Sequence, residues 1–585
     1  MAKTAKPERL ILRWSDHVPA SDVQDPLGLG LRGSTRLASR LVFCITSVTP
    51  RARYFSFIPW CVLDYQKREK GKSFSTGLRD AIVFRERGLT LGCIAHHEGT
   101  TCEGGGVVGS DKASKWFAKE EAMADFTKKP LDFAKNPALG IYINSLVNLG
   151  CFVTDEERED VDDEMQAEFT FDDIELSPLG KQLAEGYDAM IGGLPSVESL
   201  AQVRRQCSVE NLTAWGERGG LCEVVSSDAK DRQPLRDMFF AQIDMKGESH
   251  PVRKQSLLLI LELARQLSGK GLPLKESHFS TAVYFNAILN TEGTSESIVW
   301  PEALRDIATR WRMFYFHHFM SVALEGMLSW LVTNLADKGV AGSTIAELSS
   351  ELTTKTVSKQ LGECLNTDIP AGFGNMTPAG ILGLFGVFAN DLTAESSVVI
   401  DEGIGLDSRL AEPQLEKAIR DQTYQHSVAG LAIPTILLSL TLARYTRWKK
   451  TDYGNWLANT ARDEYLDLIP PIVLDGLTRR FDDWWNSPFS EIAQVVLSRF
   501  AVQQHQSMSY EKSAAGNRCL LQVDGANISV TGTYDSIGMG NPRLRSAIRI
   551  LKDLAFLADN EDGTTVLTED GTTMLEAELS TGGTA

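Results

Sequence analysis

Residues 541–579 read NPRLRSAIRILKDLAFLADNEDGTTVLTEDGTTMLEAEL, and the reading of the chain turns on this stretch. Leu544, Ile548, Leu551, Leu554 and Leu557 recur at helical spacing behind an Asn541-Pro542 start, which predicts an amphipathic helix over 543–557. Asp562-Gly563 predicts a tight turn, and Thr564 to Leu567 a strand. Thr568 then caps a last helix carrying Met574, Leu575 and Leu579.

A helix, a short hairpin and a helix with an L-T-x-x-G start together resemble the second half of a MarR-like winged helix-turn-helix. The resemblance implies that Arg543, Arg545, Arg549 and Lys552 form a nucleic-acid-binding set, reaching phosphates or a groove from the recognition helix. The same phrase occurs earlier. Residues 136–152, NPALGIYINSLVNLGCF, align without a gap on 541–557, and after an insertion LSPLGKQL at 176–183 matches Leu567, Thr568 and Gly571. A weaker copy of the module is therefore expected in the first half of the chain. It has no basic residue between 138 and 152, and its insertion, DEEREDVDDE at 155–164, would repel a phosphate backbone. Protein, not DNA, is its expected partner.

Composition narrows the function classes. With 585 residues the chain is too long for a single core. Its 59 basic and 77 acidic residues give a net charge of −18 and a pI near 5.1, which argues against coating nucleic acid and leaves room for one local basic patch. Nine cysteines, at 44, 61, 93, 102, 151, 207, 222, 364 and 519, include no CxxC pair and suit reduced, buried thiols in a cytoplasmic protein. The start, MAKTAKPERLILRWSDH, lacks an apolar signal core. The uncharged run Ala429 to Leu442 is too short to span a bilayer, and residues 370–390 hold Asn375, Asn390 and several glycines. Both read as buried helices, and no membrane partner is expected.

The densest group of reactive side chains follows a predicted helix over 78–94: Cys93, His96, His97 and Cys102, with Asp111 beyond a glycine-rich loop. These residue types ligate zinc, and His97 with Asp111 is a conceivable acid–base pair. The spacing matches no standard zinc knuckle, however, and no second pair of ligands lies nearby in sequence. The expectation is therefore a helix end and a loop, with no metal, no cofactor and no catalytic residue assigned. The runs Gly28 to Gly33 and Gly104 to Gly109 satisfy GxGxxG without the strand that a dinucleotide site needs.

Elsewhere the pattern is helical. RARYFSFIPW at 51–60 offers two readings, a base-stacking or phosphate site, or an aromatic core with arginines over its rings; the second is expected. Glu302 to Leu335 is apolar around most of its circumference, as a central helix requires, and its His317 and His318 read as packing residues. Arg444, Arg447, Lys449 and Lys450, with Tyr445 and Trp448, form a second candidate nucleic-acid surface, against the plainer reading of a solvated helix end. RARYFSFIPW and GVVGSDKA (106–113), ahead of a winged-helix-like unit, are similar to uncharacterised prokaryotic proteins from anti-phage defence neighbourhoods.

The sequence thus predicts a mainly α, multidomain helical protein with winged-helix modules in its N-terminal and C-terminal parts. The expected segments are a flexible arm at 1–20, a helical region at 21–130, a module with an acidic hairpin insertion at 131–190, a helical middle at 191–510 and a C-terminal module at 511–585. A winged helix towards each end of an acidic helical body is similar in layout to kleisin-type partners of SMC ATPases, without a kleisin motif. That implies a cytoplasmic, non-enzymatic adaptor in a prokaryotic complex, with an SMC-like or other ATPase as partner and DNA as a further contact. The alternatives are a DNA-binding regulator and a metal-assisted hydrolase built on the 93–111 loop.

Overall fold

A computed structural model describes residues 25–102, 105–119, 123–127, 137–153, 174–240, 251–384, 410–421, 425–448, 476–477, 480–481, 483–513, 519–534, 537–538 and 540–581. The described residues are mainly helical, with short two- and three-stranded sheets. By their contacts they form two compact units that do not follow chain order. The larger holds residues from 34 to 315 together with those from 541 onwards; the smaller holds those up to 33 and from 316 to 540.

At the centre of the larger unit lies the RARYFSFIPW segment. Helix Tyr54–Arg68 is buried from Tyr54 to Asp64 and accommodates Pro59 within it. Phe55 meets Tyr142 and Phe239 edge-on at 5.2 and 5.1 Å, and Trp60 meets Tyr187 and Trp215 at 5.4 and 5.8 Å. Arg51 and Arg53 are fully buried, so neither presents a surface for phosphate or base. Carboxylates more than rings neutralise them: Arg51 Nε donates to Asp553 and Arg53 Nη2 to Asp231, both at 2.9 Å. A buried guanidinium without such a partner would cost several kcal/mol, on the order of the desolvation of one ion. Around this core, helices Leu78–His96 and Val209–Gly219 cross at very close range. A Cβ on Gly216 would lie 2.1 Å from the Gly92 carbonyl oxygen, so only glycine permits the approach.

Two helix–hairpin–helix segments belong to this unit. In one, helix Ala138–Asn148 leads into strand Phe152–Val153, which pairs with Glu175–Leu176 before helix Pro178–Ile191. In the other, helix Leu544–Asp553 leads into Leu557–Asp559, which pairs with Thr565–Leu567 before helix Glu569–Thr581. Positions that align in sequence make the same bonds. Cys151 N donates to Leu146 O and Phe556 N to Leu551 O, each at 2.9 Å. Ser177 Oγ bonds Gly150 O and accepts from Gly180 N, and Thr568 Oγ1 bonds Ala555 O and accepts from Gly571 N. Even the close approach repeats: a Cβ would come within 1.9 Å of Cys151 O at Gly180, and within 2.1 Å of Phe556 O at Gly571.

The helix expected over 543–557 is shorter than predicted. Arg543 (φ 59°) precedes it and Ala555 (φ 59°) closes it in left-handed backbone, which releases Leu557 into the hairpin. The acidic run 155–164 lies outside the described residues. A third segment of the same order went unread in the sequence: helix Glu276–Phe285, a hairpin pairing Ala287–Leu289 with Ser295–Ser297, and the helix from Glu302. Its turn, in which Asn290 N donates to Thr294 O and Gly293 N to Asn290 O, reproduces that of Asn560 to Thr564.

Much of the smaller unit consists of apolar helices. Helix Glu302–Lys338, which enters this unit at Phe316, and helix Ala429–Trp448 are each long and apolar enough to cross a membrane. Their most apolar windows are 83% and 94% buried, the state of core helices in a soluble protein. His317 is fully buried, and burial lowers its pKa to about 3; His318 Nε2 lies 2.9 Å from Glu416. Both are packing residues. Arg444 is buried in an ion pair with Glu412, and Tyr445 stacks on Phe316 at 4.8 Å, so these two members of the second basic cluster are core. The Arg447 side chain, Lys449 and Lys450 lie outside the described residues. The hairpin Leu521–Asp524 with Asn527–Val530 pairs on its far side with Ser343–Thr344, placing it in this unit and not with residues 541–581.

Candidate functional site

Cys93, His96 and His97 sit in the last turn of helix Leu78–His96 and directly after it. Cys93 and His97 are four residues apart and therefore share one face. The helix closes where Gly99 N donates to Ile94 O at 2.9 Å, with Glu98 and Gly99 in left-handed backbone. That closure turns the chain, and beyond it Gly105 N donates to Cys102 O at 3.0 Å. Sequence reasoning missed the second half of the site. It comes from the turn Leu221–Val225, delivered by the glycine crossing of helix Val209–Gly219, and it carries Cys222 and Glu223.

Side chains of the two segments converge. His97 Nε2 lies 3.2 Å from Cys222 Sγ, and His96 Nε2 lies 3.2 Å from Glu223 Oε1. The His96, His97 and Cys222 ligand atoms all lie within 4.8 Å of one another. Interaction with Cys222 and Cys93, with the Arg51 guanidinium and His97 beyond them, holds the Cys102 thiol well below its usual range against the opposing effect of burial. Interaction with Cys102, reinforced by burial, holds Cys93 and Cys222 up. All three are free cysteines. Asp111 is exposed in the first turn of helix Ser110–Phe117, whereas the partners of His97 are Cys222 and His96. The acid–base pairing considered for His97 and Asp111 is thus replaced by a thiol–imidazole cluster.

The buried arginines position this cluster. Arg51 Nη1 donates to Gly105 O at 2.7 Å, pinning the loop after Cys102, and Arg53 Nη1 donates to Gly220 O, pinning the chain before Cys222. Arg51 Nη2 is buried and has no hydrogen-bond partner among the described residues. His96 and Glu223 are 24% and 30% exposed, so the cluster is buried on the thiol side and open on theirs.

The four basic residues expected to contact nucleic acid lie on or beside helix Leu544–Asp553, and their partners are internal. Arg543 is half-buried and donates to Ile45 O at 3.2 Å. Arg549 pairs with Asp553 at 3.1 Å, and Lys552 with Asp559. Arg545 is 88% exposed and lies 3.0 Å from Glu276. Arg545, Arg549 and Lys552 line a groove of about 820 Å³ together with Lys275, Glu276 and Asp559, so its wall is of mixed charge.

No known protein family matches the chain, and neither a curated protein nor a solved structure matches it.

Proposed function

We propose that this chain is a non-enzymatic adaptor or scaffold subunit of a cytoplasmic prokaryotic complex, of the kind associated with anti-phage defence. Its helix–hairpin–helix segments act as winged-helix modules that grip protein partners, among them an SMC-like or other ATPase. One observation carries the preference for protein over DNA. All four cations on the C-terminal module meet acceptors of their own unit: Ile45 O, Glu276, Asp553 and Asp559. A recognition helix needs free cations for phosphate contacts, and each neutralised one removes a share of the affinity.

The test is fluorescence anisotropy with random duplex DNA at low salt, beside co-purification from the host with and without nuclease. The adaptor reading expects weak anisotropy, unchanged by Arg545→Ala, and nuclease-resistant recovery of an ATPase at fixed stoichiometry. Tight, steeply salt-dependent DNA binding abolished by Arg545→Ala would instead make the chain a DNA-binding regulator. The metal-assisted hydrolase is the second reading, favoured by the meeting of His96, His97, Cys222 and Glu223 at the open side of the thiol cluster.

A further inference from the structure

We infer that His96, His97 and Cys222 form a zinc site that joins the end of helix Leu78–His96 to the turn Leu221–Val225. A ligand atom of each residue lies within 4.8 Å of those of the other two, and no other group of three or more such side chains comes as close among the described residues. Zinc bound by imidazole and thiolate is tetrahedral, with Zn–S near 2.3 Å and Zn–N near 2.0 Å, which places ligand atoms about 3.5 Å apart. The 3.2 Å between His97 Nε2 and Cys222 Sγ is within a few tenths of an ångström of that spacing. Small side-chain rotations are enough to bring the other two pairs to it. Two successive residues inside a helix project about 100° apart and do not share a face. His97 escapes that restriction because it closes the helix, with φ −103° and ψ 28°, and its ring centroid comes within 4.5 Å of that of His96.

Three features separate this group from histidines and a cysteine that merely meet at a surface. Access is the first. Six of the nine cysteines are buried, whereas Cys222 is half-buried, as are both histidines, so an ion can reach all three from solvent. Charge is the second. Glu223 Oε1 lies 3.2 Å from His96 Nε2 and 3.5 Å from Cys222 Sγ, so one thiolate and one adjoining carboxylate match the two positive charges of zinc. A carboxylate beside a ligating imidazole also orients the ring and raises its basicity, which makes Glu223 the outer partner of the site. The third is that the backbone is fixed before any ion arrives. Gly99 N closes the helix on Ile94 O, Arg53 Nη1 holds Gly220 O ahead of Cys222, and the close crossing at Gly216 sets one half against the other. Imidazole and thiolate select zinc over magnesium or calcium, which take oxygen ligands. Three protein ligands leave the fourth tetrahedral position to water. Cys222 binds as the thiolate, and its proton passes to solvent. The inference concerns binding alone and stands apart from the adaptor reading: either can fail without the other.

The experiment uses the untagged full-length chain, purified with a phosphine reductant, stripped with a chelator and titrated with zinc against a competing indicator. Uptake of about one zinc per chain is expected, lost in His97→Ala and in Cys222→Ser and kept in Cys519→Ser. A second readout needs no variant and so survives any failure of a variant to fold. Alkylation of the wild type, followed by peptide mass spectrometry, should show Cys222 reacting about tenfold more slowly once zinc is added, because a metal-bound thiolate is no longer a free nucleophile. The half-buried Cys364 and Cys519 should react at the same rate with and without zinc. A stripped wild type that takes up no zinc, uptake unchanged when His97 and Cys222 are both replaced, or alkylation of Cys222 at one rate in the presence and absence of zinc overturns the proposal.

Discussion

His97 Nε2 lies 3.2 Å from Cys222 Sγ across 125 positions of chain. The contact exists because helix Val209–Gly219 rides directly over helix Leu78–His96, and the crossing is set by a pair of glycines. Any side chain there moves one half of the cluster relative to the other.

Gly216→Ala tests this coupling. Its methyl group would sit 2.1 Å from Gly92 O and 2.6 Å from His96 Cβ, so the two helices must part. Overpacking of this kind costs about 1–3 kcal/mol. The expected outcome is a lower urea midpoint together with faster reaction of Cys93 and Cys102 with a thiol reagent. Unchanged thiol reactivity would show that the crossing does not position the cluster.

Arg53 and Asp231 are both fully buried, and Asp231 also accepts from Ser56 Oγ at 2.6 Å. Arg53→Met leaves that carboxylate without its cation and should destabilise the larger unit by about 3–5 kcal/mol. Arg53→Met with Asp231→Leu removes both charges, and most of the loss should return. Urea unfolding of the two variants followed by tryptophan fluorescence decides it. A double variant no better than the single would show that the pair contributes beyond mutual neutralisation, through the Gly220 contact.

Thr568→Ala removes a hydroxyl that caps Gly571 N and bonds Ala555 O, and the loss of such a cap costs about 1 kcal/mol. Thr568→Ser keeps both bonds and should be close to neutral, because serine fills the same position at Ser177 in the other segment. Equal stability of the Ala and Ser variants in thermal unfolding would remove the cap from the account of this motif.

How far the sequence revealed all this depends on the range of each signal. The alignment of 136–152 on 541–557 was visible because the helix closures at Leu146 to Cys151 and Leu551 to Phe556 are local, and local geometry is written in contiguous residues. The third segment left a signal too, the N-x-x-G-T shared by Asn290 to Thr294 and Asn560 to Thr564, but its flanking helices lack the Asn-Pro start. Cys93, His96, His97 and Cys102 stood out by density alone. Cys222 did not, because no spacing rule connects a ligand to its partners across two packed helices. Asp553 stands four residues after Arg549, a pairing that helical spacing makes readable, whereas Lys552 meets Asp559 only through the hairpin.

In the smaller unit, Glu325 is fully buried, and its pKa is raised to about 8 by that burial and by Asp25 nearby. The Tyr534 hydroxyl at 2.9 Å, the Gly538 amide and Arg420 act in the opposite direction without overcoming burial. A carboxyl raised in this way binds its proton in the folded state over a range in which the unfolded chain has released it. Its contribution to stability is therefore complete below its unfolded pKa of 4.5 and is lost as pH rises to about 8. Glu325→Gln keeps the shape and removes the titration. Wild type should lose stability relative to the glutamine variant between pH 5 and pH 8, by a few kcal/mol in total, with no further divergence at higher pH. Buried Glu86, with its pKa raised to about 7, adds a loss of the same sign in the larger unit, and it cancels in this comparison because both proteins retain it. Urea midpoints measured at several pH values give the result directly, and parallel curves for the two proteins would mean that Glu325 stays ionised in the fold.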